Sequence, residues 1–172
     1  SDFCERPTKL LCISFKKLGS DQVHTVKDEE GYKKFLDYIS KPDTVLVGHN
    51  VNFDVVVLNR LLGYGVNQTL VCTSNMSWKI YSNEDRLGHL DMDDKRIPDD
   101  LVGSKSLESW GLRLNMHKDD EGFTENMDWS KAEYSESMAH YCETDVLITE
   151  ALYLHCQEQM AEGHTSSLDP YG

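Results

Sequence analysis

Two short segments carry the side chains best suited to chemistry. In the first, YCETD, Tyr141 precedes Asp145 by four residues, within a stretch from about residue 131 to about residue 160 that is predicted to be a helix. Side chains four residues apart lie above one another on one helix face. This phenol and this carboxylate are therefore predicted to point into the same space.

The second segment is GHNVNFD, over residues 48–54, which ends at Asp54. Residues 44–47 favour a strand and residues 55–62 favour a helix, so Asp54 is predicted where a strand passes into a helix. Asp54 could act there as the helix N-cap and also belong to a metal site. Carboxylates from separate elements are what a two-metal phosphodiester site needs, because two cations about 3.5–4 Å apart hold the attacking and leaving oxygens. Mg²⁺ and Mn²⁺ prefer such oxygen ligands.

The elements that must position these residues follow from periodicity and capping signals. Strands are predicted at residues 9–17, 23–26, 44–47 and 69–72, the third of them covered on both sides because it is fully apolar. Helices are predicted from residues 28–30 to just before Pro42, over 54–62, over about 74–81, after a cap at Ser104 or Ser106, and from Ser130 onward. Polar loops are predicted at about 82–103 and 115–129.

The two segments resemble a known family. Asn50, Phe53 and Asp54 match the second motif of the DnaQ-like 3′–5′ exonucleases, the DEDD superfamily, and Tyr141 and Asp145 match the third motif of its tyrosine branch. Residues 103–111, GSKSLESWG, and the pair DW at 128–129 also resemble the proofreading domain of family A DNA polymerases from short-tailed phages. The resemblance covers roughly residues 8–156.

This resemblance implies an α/β architecture of the RNase H-like fold, with a mixed, partly antiparallel sheet flanked by helices. The implied activity is 3′–5′ exonucleolysis of single-stranded DNA, which releases nucleoside monophosphates and requires two Mg²⁺ or Mn²⁺ ions. The implied catalytic residues are Asp54, Tyr141 and Asp145. Asn50 and Phe53 are the implied substrate-binding residues, and the implied metal ligands are Asp54, Asp145 and Asp2.

The first motif of the family, Asp-x-Glu, has no direct counterpart near the N-terminus, and two interpretations are open. In one, Asp2 and Glu5 are the first-motif acids. Because positions three apart on a strand point to opposite faces, a bulge would have to bring them together. In the other, the chain begins just after an Asp-x-Glu, since residues 7–9, PTK, match the turn that follows this motif.

Two other functions are consistent with the residues. A chain without the first acidic motif could be a catalytically silent module that binds nucleic acid or protein. It could also be an exonuclease that trims RNA, a choice that depends on contacts to 2′-hydroxyl groups. Whether a polymerase domain follows residue 172 in the parent protein is a further open question.

Composition narrows the class of protein. The 172 residues are predicted to form one domain over residues 1–162, with a flexible tail or linker over 163–172. The net charge of −13 argues against a simple electrostatic nucleic-acid binder, although bound cations reverse the field of an acidic site.

No signal peptide or membrane-spanning run is visible, so we expect a cytoplasmic protein, in an infected bacterial cell if the source is a phage. The five cysteines form no C-x-x-C pair and are predicted to be core thiols, not a disulfide or zinc site.

Overall fold

The computed structural model describes residues 9–82, 84–116 and 133–163, and this part of the chain is an α/β protein with six helices and four short strands. The first half contains the strands β1 and β2, the helix α1, the strand β3, the helix α2 and the strand β4. The described part of the second half is helical, and it includes a 3-10 turn at Asp99–Leu101. The bounds are β1 Ile13–Lys16, β2 Val23–Val26, α1 Glu29–Ile39, β3 Val45–Gly48, α2 Val51–Leu62, β4 Thr69–Cys72, α3 Thr73–Ile80, α4 Glu84–Met92, α5 Leu107–Arg113 and α6 Glu136–Ala161.

The strands pair in two different ways. β1 and β2 form an antiparallel hairpin in which Ile13 lies opposite Val26, whereas β3 and β4 are parallel, with Gly48 opposite Cys72. Over the described ranges these are two separate two-stranded sheets. The protein is therefore α/β with both parallel and antiparallel pairing.

The long helix α6 joins the parts of the molecule, because it packs against β1, β2, β3, α3 and α5. One side of α6 faces the hairpin: Glu150 accepts a 2.6 Å bond from Lys16 Nζ, and Glu143 accepts a 2.8 Å bond from Thr25 Oγ1. Another side carries Ile148, which is fully buried in the core. Burial of such a side chain stabilises the fold by about 1.5–3 kcal/mol.

The described residues form two apolar cores. The first is built around α6, where Leu152 and Cys156 join Ile148 against the rings of Tyr81 and Trp110. The second lies under α1 and α2, where Phe35, Ile39 and Leu58 are buried, with Phe15 and Leu46 packed against them. β3 thus contributes a side chain to the second core.

Local capping signals determine several helix starts. At the start of α1, Asp28 Oδ1 accepts a hydrogen bond from Gly31 N at 2.8 Å. At the start of α5, Ser106 Oγ accepts one from Ser109 N at 3.2 Å, so Ser106, not Ser104, is the cap of this helix. The predicted start of the last helix near residue 131 is wrong. α6 begins at Glu136, because Ser135 supplies the cap by accepting from the Met138 N–H at 3.1 Å. Ser130 itself lies outside the described residues.

The predicted polar loop at 82–103 is wrong in part, since it contains α4 and the 3-10 turn. Long-range contacts stabilise this segment, and its local sequence gave little sign of them. Leu87 and Ile97 are buried, and Asp91 is 3% exposed. The Asp91 carboxylate accepts two bonds from the Arg113 guanidinium, at 2.9 and 2.7 Å, and one from Gly103 N at 2.8 Å.

The expectation that β3 is covered on both sides is also wrong in this structure. Val45 is 51% exposed and Val47 38% exposed, whereas Leu46 packs against the second core. Successive side chains of a strand point to opposite faces. Among the described residues, only the face of β3 that carries Leu46 meets an apolar layer.

Candidate active site at the ends of β3 and β4

The carboxyl ends of β3 and β4 meet at one edge, because the two strands are parallel and Gly48 lies opposite Cys72. Helix α2 begins three residues after Gly48, and α3 begins directly after Cys72. Thr73 connects the two ends and is fully buried. Its Oγ1 donates to Gly48 O at 3.4 Å, and the same oxygen lies 3.0 Å from His49 Nδ1. Ligands of open α/β sheets bind outside such carboxyl ends.

The turn between β3 and α2 places Asn50 and Asp54. Asn50 occupies the N-cap position in the left-handed conformation, with φ 61° and ψ 50°, and its side chain makes no capping bond. Asn is one of the few residues that adopt this conformation readily. Asp54 lies in the first turn of α2, so the N-cap role considered for it is wrong. An acidic group in a first turn interacts favourably with the helix dipole.

The Asp54 carboxylate lies directly against the end of β3. A Cβ atom added to Gly48 would lie 3.2 Å from Asp54 Oδ2 and 3.2 Å from Val51 Cβ, closer than most such contacts in proteins. The absence of a side chain at residue 48 therefore lets this carboxylate approach the strand end. Neither Gly48 nor Thr73 was among the predicted site residues, although both adjoin the strand ends used in the prediction.

Asp54 combines an exposed residue surface with a carboxyl group that is largely desolvated. Protein surrounds the carboxyl group closely enough to desolvate it, which raises its pKa to about 6, and a bond from its own backbone N–H lowers the pKa by less. The residue nevertheless keeps an exposed surface, so water screens part of this effect. No cationic side chain among the described residues contributes to the shift. A desolvated carboxylate that solvent ions can reach fits an oxygen-ligated cation.

Tyr141 and Asp145 lie on one face of α6, as predicted, and both are half-buried. At 100° per residue, Asp145 lies between the side of α6 that carries Ile148 and the side that carries Cys142 and Glu143. The first side packs in the core and the second faces the hairpin. The Oδ1 atom of Asp145 is shielded from solvent.

The structure groups the predicted residues into two sets. Asn50, Phe53 and Asp54 form the exposed to half-buried start of α2, and Tyr141 and Asp145 form the second set on α6. Both helices pack against β3. Asp2 and the first-motif question lie outside the described residues. Within the described ranges, no three His, Cys, Asp or Glu side chains are grouped closely enough to hold a metal ion.

Trp110 and His155 pack against each other. Trp110 is 1% exposed, and His155 lies beside it with Nε2 2.8 Å from Tyr81 Oη. Burial lowers the pKa of His155. Of the four described cysteines none forms a disulfide, and Cys156 is fully buried. Cys4 and Trp129 lie outside the described residues.

No protein-family model matches the chain, and no curated protein matches it by sequence. None of the described helices is both long and apolar enough to cross a bilayer.

Proposed function

We propose that this chain is a metal-dependent 3′–5′ exonuclease domain of the RNase H-like fold and the DnaQ-like family, which removes nucleoside monophosphates from the 3′ end of single-stranded DNA. One observation carries the proposal. Asp54 lies against the end of β3, and the helix that bears Tyr141 and Asp145 packs against the same strand. Acidic residues thus come from two separate helices that pack against one strand, and a two-metal phosphodiester site needs carboxylates from separate elements.

In this proposal Asp54 and Asp145 hold the cations, together with acids of the first motif. When bound, two Mg²⁺ or Mn²⁺ ions activate the attacking water and stabilise the charge that develops on the phosphate. Desolvation of Asp54 favours this binding, because a cation restores the charge balance that the described surroundings do not supply.

The other residues of the site act on water and substrate. The Tyr141 hydroxyl orients the attacking water by a hydrogen bond, since a phenol can both donate and accept one. Phe53 is half-buried at the start of α2, with ring surface left for a terminal base to stack on. Asn50 is exposed at the head of the same helix, where its amide can contact the terminal nucleotide.

A single assay tests the activity and its direction. A 5′-labelled single-stranded oligonucleotide is incubated with the protein in EDTA, Mg²⁺ or Mn²⁺, beside the same oligonucleotide blocked at its 3′ end. We expect a descending ladder only with a divalent ion and only from the unblocked strand. Digestion in EDTA would exclude the two-metal site, and immediate release of the label as a mononucleotide would show the opposite polarity. An RNA strand of the same sequence tests the RNA-trimming alternative.

The second candidate function is a catalytically silent binding module. It is favoured by the finding that the described residues contain no group of three possible metal ligands. This module would bind the oligonucleotide in Mn²⁺ without shortening it. The assay is repeated with any residues encoded before Ser1 attached. Cleavage that appears only then would assign the missing ligands to the first motif, and continued inertness would favour the module.

A further inference from the structure

Two cysteines far apart in the sequence meet beside the proposed site. Cys12 Sγ lies 3.7 Å from Cys142 Sγ, and both residues are half-buried. They are separated by 130 positions, so the fold alone brings them together. Cys142 lies on α6 between Tyr141 and Asp145, and Cys12 directly precedes β1.

We infer that Cys12 and Cys142 form an oxidative modification site: a dithiol that a peroxide converts to a disulfide, which lowers the activity of the proposed exonuclease site. The regulatory part of this inference depends on the proposed function, whereas the disulfide itself does not. Intracellular disulfides of this kind are usually transient and redox-sensing, which is consistent with the thiol state seen here.

The geometry favours this reaction. A disulfide bond is about 2.05 Å long, so the two sulfur atoms must approach by less than 2 Å, which side-chain rotation with a small backbone shift can supply. The hydrogen bond between the Cys12 and Cys142 thiols lowers the pKa of Cys12, against the opposing effects of burial and of Glu143. A larger thiolate fraction speeds attack on a peroxide.

The reaction balances with hydrogen peroxide as the oxidant. One cysteine thiolate attacks a peroxide oxygen, the O–O bond breaks, and a sulfenic acid and hydroxide form. The second thiol then attacks the sulfenic sulfur, forms the S–S bond and releases water. In sum, two thiols and one peroxide give one disulfide and two waters, with both electrons passing from sulfur to oxygen.

The disulfide would act on the site through α6. It would tie the segment before β1 to the helix at the residue next to Tyr141 and three residues before Asp145. A displacement of catalytic groups on the order of an ångström can lower turnover by about 100-fold. We therefore expect the oxidised protein to turn over at least about 10-fold more slowly and to recover fully with dithiothreitol.

The test uses the full chain and four single variants. The protein is treated with hydrogen peroxide, quenched, alkylated under denaturing conditions and mapped by mass spectrometry. Cys12→Ser and Cys142→Ser remove the pair, and Cys72→Ser and Cys156→Ser are matched controls. We expect a Cys12–Cys142 cross-link in the unmodified protein and in both controls, with the other cysteines alkylated. Oligonucleotide digestion is measured in parallel before and after oxidation.

The possible results test the modification site, its regulatory effect and the proposed function separately. If the cross-link does not form, or if Cys12 or Cys142 pairs with another cysteine instead, the modification site is wrong whatever the activity. If the cross-link forms and turnover stays the same, the regulatory effect is wrong. If the reduced protein shows no nuclease activity even with any residues encoded before Ser1 attached, the proposed function fails, and the mapping still decides the cysteine pair by itself.

Discussion

At the scale of the residue, the Asp54 carboxyl group makes stability depend on pH. Its pKa is raised to about 6, above the value near 3.9 of an unfolded chain. The native state therefore holds a proton that the unfolded state has released between these values. Without divalent ions, this contribution to stability is fully present below about pH 4 and is lost as the pH rises through 6.

Asp54→Asn should remove this pH dependence, because the amide stays neutral. We expect the variant to melt about 2–4 °C above the unmodified protein at pH 7.5 in EDTA, with little difference at pH 4. Asp37→Asn, at an exposed position on α1, is the matched control and should show neither effect. Mn²⁺ should raise the melting temperature of the unmodified protein more than that of Asp54→Asn. Equal pH profiles for the two proteins would contradict the desolvated state of Asp54.

Asp145 and Tyr141 share a helix face, and substitutions at the two positions should affect metal binding and turnover differently. Asp145→Ala removes a carboxylate ligand, so we expect lower activity and weaker Mn²⁺ binding, by about 10-fold or more. Tyr141→Phe removes only a hydroxyl, so we expect slower turnover with nearly unchanged Mn²⁺ affinity. Calorimetric titration with Mn²⁺ beside single-turnover kinetics separates the two effects.

Two variants on the same helix serve as controls. Glu158→Ala removes an exposed carboxylate from α6, and Tyr153→Phe removes a hydroxyl that accepts a 2.7 Å bond from Gln157. Neither should change metal binding or turnover. Loss of Mn²⁺ in Tyr141→Phe as severe as in Asp145→Ala would disprove the division of roles.

At the scale of the element, a side chain at residue 48, the end of β3, is expected to impair metal binding and turnover. Gly48→Ala would place a methyl group 3.2 Å from both Asp54 Oδ2 and Val51. Either the carboxylate or the start of α2 must then shift by a few tenths of an ångström. We expect Mn²⁺ affinity and turnover to fall by roughly 10-fold, with the fold retained.

Gly65→Ala is the control for this variant. Nothing lies within 4 Å of a Cβ at residue 65, so a methyl group there meets open space. It should leave activity unchanged, and stability unchanged or slightly higher, because alanine restricts the unfolded chain. Titration with Mn²⁺ and thermal melts of both variants provide the comparison, and equal behaviour of the two would contradict the close approach of Asp54 to the strand.

At the scale of the whole molecule, the net charge of −13 should make DNA binding depend on cations. Like charges repel a single strand when no divalent ion is bound, whereas ions in the site reverse the local field. We expect a labelled, 3′-blocked oligonucleotide to bind at least about 10-fold more tightly in Mn²⁺ than in EDTA, as measured by fluorescence anisotropy.

Salt provides the control for this prediction. In EDTA, raising NaCl should leave binding unchanged or strengthen it, because salt screens the repulsion. A basic binder behaves in the opposite way, since salt competes with its phosphate contacts. A steep loss of affinity with salt in EDTA would mean that a local basic surface, not the metal site, dominates binding.

The amino-acid sequence alone determined the parts of this protein that depend on near neighbours. β2 and β4 have the predicted bounds, α1 begins after Asp28, and α2 ends at Leu62, directly before Gly63, which adopts φ 64°. Alternation, helical spacing and capping bonds act over a few residues, so they can be read in order along the chain. For the same reason Tyr141 and Asp145 could be assigned to one helix face.

Tertiary structure decided the features that join distant residues. Helix α4 lies in a segment predicted to be a loop, where Asp91 pairs with Arg113 some twenty positions away. The desolvation of Asp54 and the approach of Cys12 to Cys142 likewise depend on how whole elements pack. Burial and long-range contacts are properties of the folded arrangement, because the groups that create them are remote in sequence. The sequence therefore indicated which residues could do the chemistry, and packing decided their surroundings.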